Sequence, residues 1–526
     1  MESPVIPILT LLMFAVLVAV ASRQLRVPYN IALVVAGMVL SRFDWSAYFP
    51  AQTFQLNPVI IFNVFLPALL FQASLETSIS EFRANIAPIA GLAIVGTFGA
   101  VICIGAVLSV TVFAGFQNGL LLGLLMGAIL ASTDTVSVLN AFKSVRVPNR
   151  LGSIVEGESL FNDGAALVAF ALILSLLRGG EAGAGMVISE TAKVVVGGAG
   201  LGVVLGLLGG KLCRALPDGL TALMLTTVVA YGSYIAGEAL HVSGVIATVS
   251  AGLTFRGTAW SQDLAPGTRL TLLSFWEFAG FLVNSFVFLL LGFQINFGDL
   301  AAAGLPILWG LLAIHLARVL TVYPLMGAGR VFGHPVPLRW QHVMVFGNIK
   351  GAVSAAMALL VPLSIGVEAH DLIQSITFGT VLITLLMQGL TLSRFLRLLG
   401  LGELGRRDRE LQELQMRLMA ARSAIRELDR LQDAGLITSM NYRHLRSKYQ
   451  LGIAQAEQGL QEMQVNQQLE ESAKRLMATQ RHLLTVEKSA LLDAVRDKIV
   501  ADEAAAPLLQ RLDEQLLALS RYLDER

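Results

Sequence analysis

An all-α polytopic membrane protein with a cytoplasmic helical tail is the fold class this sequence predicts, and three observations carry it. The 526 residues are 55% hydrophobic and only 14% charged, whereas an ordinary soluble domain is about 25% charged. The charge is also divided unevenly: 19 of the 38 Lys and Arg residues lie in 1–400 and 19 in the last 126. That split gives a membrane domain over 1–400 and a polar domain over 401–526. Finally, polar residues interrupt the apolar segments at a few places rather than at random. Mean hydropathy of +0.68 agrees with this reading.

The same numbers exclude other classes. A net charge of +1 argues against nucleic acid as a partner. Cys103 and Cys213 are too few for a disulfide framework or a metal site and read as small packing residues. The first apolar run, about Val5 to Ala21, lacks a basic leader and reads as a first span rather than a cleaved signal. No glycine-rich string follows a strand, so no nucleotide site is expected, and no enzyme motif or cofactor is visible.

A bilayer core of roughly 30 Å needs about 17–25 helical residues. Apolar segments of that kind fall near 4–22, 28–49, 57–76, 85–113, 118–141, 151–177, 186–210, 219–237, 240–256, 272–297, 302–327, 340–364 and 371–396, about thirteen spans. Placing the amino terminus outside tests the count through the excess of cytoplasmic Lys and Arg. The inner loops then hold Arg23, Arg26, Arg83, Lys143, Arg146, Arg150, Lys211, Arg214, Arg256, Arg269, Arg330, Arg339, Arg394 and Arg397; the outer loops hold Arg42, Arg178 and Lys193. An odd count puts the tail in the cytoplasm. The expected location is the cell membrane.

Two segments are expected to break. In the fifth, Ala131-Ser132-Thr133-Asp134-Thr135 places weak helix formers that compete for backbone hydrogen bonds. In the twelfth, Gly347-Asn348-Ile349-Lys350-Gly351 combines two glycines with a charge. If spans 1–6 and 8–13 are inverted repeats about a linking seventh, the breaks occupy equivalent positions. Interrupted helices at matching places point to a transporter's midplane site. The alternative is a pair of flexible kinks.

On the sixth segment, Glu156, Ser159 and Asp163 step by three and four residues and share a helix face, with Glu158 and Asn162 on the neighbouring stripe. A carboxylate at membrane depth costs a few kcal/mol, about 2.5–3.5 on insertion scales, so ion transport is the leading reading and a structural salt bridge the bland one. Ser159, Asp163 and the Thr133 carbonyl offer hard oxygen ligands, which suit Na⁺, Li⁺ or a proton better than a soft transition metal. Glu277 and Arg318 lie within later segments and read as structural charges neutralising each other or nearby groups. His241 and His315 read as packing or interfacial residues.

The strings Leu66-Pro67-Ala68-Leu69-Leu70-Phe71, Ser132-Thr133-Asp134, Glu158-Ser159-Leu160-Phe161-Asn162-Asp163-Gly164, His241-Val242-Ser243-Gly244, Phe275-Trp276-Glu277 and Gly347-Asn348-Ile349-Lys350-Gly351-Ala352 follow in order along the chain. In them the chain resembles the monovalent cation–proton antiporter family, in its NhaP/NHE-like (Na⁺/H⁺ exchanger) branch. The resemblance implies that Asp163 binds cation and proton in turn, that Ser159 and Thr133 coordinate the ion, and that Asp134 orders the crossing of the broken helices. Asn162 would be a hydrogen-bonding partner, and its pairing with Asp163 is the family's mark of electroneutral exchange. Glu158 would pair with Lys350. The family's fold implies a six-helix core, spans 4–6 and 11–13, moving as an elevator against a dimerising scaffold, spans 1–3 and 8–10; the partner is a second copy of the chain. Two departures stand out: position 350 is lysine where the family usually has arginine, and Gln72 stands where many relatives carry an acid.

The expected function is exchange of a monovalent cation (Na⁺, with Li⁺ and K⁺ open) for protons, in the service of pH homeostasis and sodium tolerance. An electrogenic antiporter using Lys350, a cation channel lined by the same residues and a membrane-bound sensor remain as alternatives. In the tail, Leu, Met and Ala alternate with Arg, Glu and Gln at helical spacing, with breaks expected at Gly435, Gly452 and Pro507. It is expected to assist assembly or to sense pH, a ligand or a partner.

Overall fold

The computed structural model describes the chain apart from residues 1–4, 26, 44–56, 146, 180–183, 217, 261–263, 265, 332–334, 402–405, 497–506, 513 and 516–526. Arg26, Arg146 and the ends of the tail therefore lie outside the described residues. The described residues are almost wholly helical and contain no strand. They form two compact units, Met1–Glu403 and Leu404–Arg526.

In the first unit, helix falls within each of the thirteen apolar segments. The run is α1 (Val5–Leu25), α2 (Tyr29–Leu40), α3 (Leu66–Glu76), α4 (Thr97–Thr111), α5 (Gly119–Ala131), α6 (Thr135–Val145), α7 (Asn149–Leu177), α8 (Ala184–Ala215), α9 (Gly219–Ala239), α10 (Gly244–Ala259), α11 (Pro266–Gln294), α12 (Gly304–Val331), α13 (Leu338–Phe346), α14 (Ala352–Leu360) and α15 (Val367–Leu398). Among the described residues, ten helical stretches are long and apolar enough to cross a membrane by length and composition. The second and ninth segments give shorter helices, α2 and α10, and the twelfth is split into α13 and α14. The third and fourth segments each pass through a π-helical stretch, Ile61–Phe65 and Gly91–Gly96, ahead of α3 and α4.

Both expected breaks are present. α5 ends at Ala131, where Ser132 turns extended, and α6 starts after Asp134, whose carboxylate accepts the Val136 N–H at 3.1 Å and the Ser137 hydroxyl at 2.7 Å. Asp134 thus does the work of an N-cap. α13 ends at Phe346, and α14 restarts at Ala352 after Gly351.

The helices pack in two groups. α4 lies on α5 and α12, α7 on α5, and α15 on α6, α12 and α14. In the other group α2 lies on α11, α3 on α10 and α11, and α9 on α10, with α8 packed along α10. The α2–α11 crossing brings backbones into contact: a Cβ on Gly37 would sit 2.2 Å from the Leu289 carbonyl oxygen. Small residues allow such close approach in membrane proteins, where packing rather than hydrophobic burial joins helices. Buried hydroxyls are returned to their own helix, as Ser74 is to the Leu70 carbonyl at 2.7 Å and Thr321 to Ala317 at 2.8 Å. Val110, Leu220 and Met224 face outwards, as lipid-facing residues do.

Residues expected on one side of the membrane meet one another. Arg42 stacks over Phe297 at 5.2 Å. Arg150 donates to the Asn85 side chain at 2.8 Å, and Arg256 donates to the Leu75 carbonyl. At the entry to α9, the Thr221 backbone N–H and hydroxyl bond Asp218 and hold its carboxyl below the usual range.

The second unit contains α16 (Arg406–Asp433) and α17 (Ser439–Arg496). They turn at Gly435 (φ +69°) into an antiparallel pair, tied by Arg422 to Glu457 at 2.8 Å and Tyr442 to Asp429 at 2.7 Å. Gly435 breaks the helix as expected, but Gly452 does not. It lies inside α17 with open space around it, and the neighbouring turns carry the helix through. Pro507 opens a short helical run.

Candidate functional site

The unwound backbone of the first break lies against α7. Asp163 accepts the Ser132 hydroxyl at 2.6 Å. One turn earlier, Ser159 donates its hydroxyl to the Thr133 carbonyl at 3.0 Å and accepts that of Thr135 at 3.1 Å. Asn162 donates to the Thr133 hydroxyl at 2.5 Å, while its own carbonyl oxygen is buried with no partner. The helix spacing of Ser159, Asn162 and Asp163 thus brings all three to one gap in α5–α6. A carboxylate, a backbone carbonyl and hydroxyls converge there.

The second break fits into the first. The Asp134 backbone N–H donates to the Ile349 carbonyl at 2.8 Å. Lys350, 2% exposed, donates its ammonium to the Ser132 carbonyl at 3.0 Å and to Asn348 Oδ1 at 2.8 Å. Asn348 in turn donates to the Ile314 carbonyl at 3.2 Å, and the Lys350 backbone N–H bonds Thr384 at 3.1 Å. Gly351 is needed for the fit, since a Cβ there would lie 2.6 Å from the Asp134 Cβ.

A cavity of about 620 Å³ reaches Asp163, Ser159 and Thr133. Glu156, Glu76, Glu277, Arg23 and Lys143 also line it. It lies between the two helix groups, with α1, α3 and α11 on one wall and α6, α7 and both breaks on the other.

Of the charge pairings read from the sequence, Glu158 with Lys350 is not formed, and Arg318 is neutralised by a nearby group rather than by Glu277. Glu158 instead faces Arg318, whose guanidinium donates to both carboxylate oxygens, one at 2.9 Å. Arg318 also bonds the Met344 carbonyl at 3.2 Å, at the end of α13. The planar fork matches a carboxylate as an ammonium does not, and the rotation of α12 turns it to α7. Glu277 accordingly is not Arg318's counter-charge. It stands on α11, in the other helix group, exposed on the cavity wall.

Glu76 was not singled out from the sequence. Gln72 bonds it at 2.7 Å, so an acid sits one turn beyond the uncharged position 72. Ser132 and Asn348 lie within the family-like strings, and nothing in their sequence context marks them apart from their neighbours. His315 is satisfied by Leu311 and Gln388, both at 2.8 Å, in line with a packing role. Ser243 caps α10, and Trp276 donates to Thr226 at 3.1 Å, so these two residues of the family strings make structural contacts.

Among curated proteins, the Na(+)/H(+) antiporter NhaS2 of Synechocystis sp. is 38% identical over 97% of this chain and 93% of its own length. The Na(+)/H(+) antiporter ApNhaP of Aphanothece halophytica is 37% identical over 78% of this chain and 76% of its own. Among solved structures, the sodium proton antiporter MjNhaP1 of Methanocaldococcus jannaschii at pH 8 aligns with 75% of this chain and 99% of its own, with a TM-score of 0.62 at 20% identity, a likeness of fold. The sodium/hydrogen exchanger transmembrane model matches residues 9–398, and with the two broken helices crossing at Asp163, this chain belongs to that family.

Proposed function

We propose that this chain exchanges a monovalent cation, Na⁺ foremost with Li⁺ and K⁺ open, for protons by alternating access at Asp163. The observation that carries the reading is the Asp163 carboxylate, set beside a helix break among oxygen donors and reached by a cavity. A proton or a cation each neutralises that carboxylate, and the two cannot share it. The empty charged site is costly to carry through hydrocarbon, whereas either loaded form is not. Only the loaded forms cross, so the two fluxes are coupled. The Asp163 carboxylate, the Thr133 carbonyl and the Ser159 hydroxyl would hold the cation. Asn162 supports Thr133, and Asp134 with Lys350 keeps the crossing open.

The moving part in this reading is the group α4–α7 with α12–α15, sliding as an elevator against α1–α3 and α9–α11, the face at which two copies would pair. Arg23 and Lys143 would mark the cytoplasmic end of the cavity, with the amino terminus outside, the tail inside and the protein in the cell membrane. Electroneutral exchange fits a Lys350 held by neutral oxygens rather than by the transport carboxylate. The helical tail would serve assembly or regulation.

Asp163→Asn in proteoliposomes should abolish cation-driven proton movement while the protein still inserts and purifies as a monodisperse species. Retained exchange would refute the role. Pairing a pH dye with a membrane-potential dye, each cation in turn, separates electroneutral from electrogenic exchange. Proton flux without a counter-moving cation would indicate a channel.

A further inference from the structure

Most buried hydroxyls of the membrane unit bond a carbonyl of their own helix, as Ser74, Ser233 and Thr321 do. Ser132 does not. It is 2% exposed, its helix has just ended, and its hydroxyl goes instead to Asp163 at 2.6 Å. Its carbonyl is engaged as well, by the Lys350 ammonium at 3.0 Å. One residue therefore links the cation of the second break to the carboxylate beside the first.

We propose that Ser132 is a positioning residue that sets the competition between proton and cation at Asp163. This rests on the reading of Asp163 as the exchange site. A hydroxyl has one donor and two acceptor lone pairs and rotates to suit its partner. Towards an empty carboxylate it donates. With a cation bound it still donates to the charged carboxylate, whereas towards a protonated carboxyl it can only accept the acid's O–H. Lys350 fixes the backbone from which the hydroxyl swings, so the switch is rotation of one bond.

Other charged groups surround Asp163. Asp134 and Lys350 come from the breaks, Glu156 and Glu158 from its own helix with Arg318 from α12, Glu277 from α11 and Glu76 from α3. α10 packs apolar Val245 and Ile246 beside Gly164. None of these is altered by trimming Ser132. Ser132→Ala removes a donor to the charged carboxylate, so the proton gains on the cation. The acid limb of the exchange–pH profile should move up by about one unit, and the apparent KM for Na⁺ on that limb should rise about tenfold.

The experiment measures pH profiles and KM in proteoliposomes for wild type, Ser132→Ala, Ser132→Thr and Ser132→Cys, with Asp163→Asn alongside. Ser132→Thr keeps the hydroxyl and should retain the wild-type profile. Ser132→Cys, a weaker donor, should shift the profile in the alanine direction by less. Active alanine or cysteine variants with an unmoved profile and KM would overturn the proposal; the cysteine variant decides the matter should alanine not fold. Exchange surviving in Asp163→Asn would instead overturn the site reading itself.

Discussion

Between Ala131 and Thr135 the chain leaves its helix through a serine, a threonine and an aspartate; between Phe346 and Ala352 it does so through two glycines, an asparagine, an isoleucine and a lysine. The first break spends its side chains on α7 and on its own restart, with Ser132 to Asp163, Thr133 to Asn162 and Asp134 capping α6. The second spends its side chains on support. Asn348 reaches α12, Lys350 reaches back to Ser132, and Arg318 steadies the α13 end through Met344. Opened backbone at membrane depth is tolerated only where protein or a cavity satisfies it. Here one break carries the oxygens and the other holds it in place.

Removing the support should do the most damage. Glu158→Gln strands Arg318, a cation 13% exposed, and should cost about 3–5 kcal/mol, read as a large drop in thermal unfolding temperature in detergent. An unchanged melting temperature would mean that Arg318 finds another partner and that the second break does not depend on the pair. Gly351→Ala drives a methyl into Asp134 and should cost about 1–3 kcal/mol, with slowed exchange in proteoliposomes. If the variant behaves as wild type, the breaks have room to separate. The smallest effect is expected for Asp134→Asn, which keeps an acceptor for Val136 but exchanges charged hydrogen bonds for neutral ones, about 1 kcal/mol by the same melting assay.

The fold was legible because its signals are local. The all-helical, apolar character of the membrane unit, the breaks at Ser132–Asp134 and at Gly347–Gly351, and the Ser159–Asp163 face all follow from runs and spacings of a few residues. The partner of Glu158 was not. Lys350 and Arg318 both lie at membrane depth, and the choice between them depends on how α12 is rotated and on where the unwound Lys350 backbone points, neither of which a single sequence encodes visibly. A pairing of Glu277 with Arg318 fails for the same reason, since depth along a helix is legible and azimuth is not. Glu76 escaped notice because it ends an apolar helix, where an acid looks like an ordinary interfacial charge; only the cavity gives it context. In the tail, Gly452 shows the converse error: a residue that weakens a helix locally, about 1 kcal/mol against alanine, does not stop one 58 residues long.

The Glu158–Arg318 pair bears on how exchange would respond to voltage. Each elementary charge moved through the full field does about 2.3 kcal/mol of work per 100 mV. Glu158 and Arg318 sit on α7 and α12, within one helix group, so any displacement of that group moves equal and opposite charges together. Their work cancels. If that group is the moving part, as proposed, neutralising one member of the pair would change its gating charge by one, and exchange would respond differently to the electrical gradient.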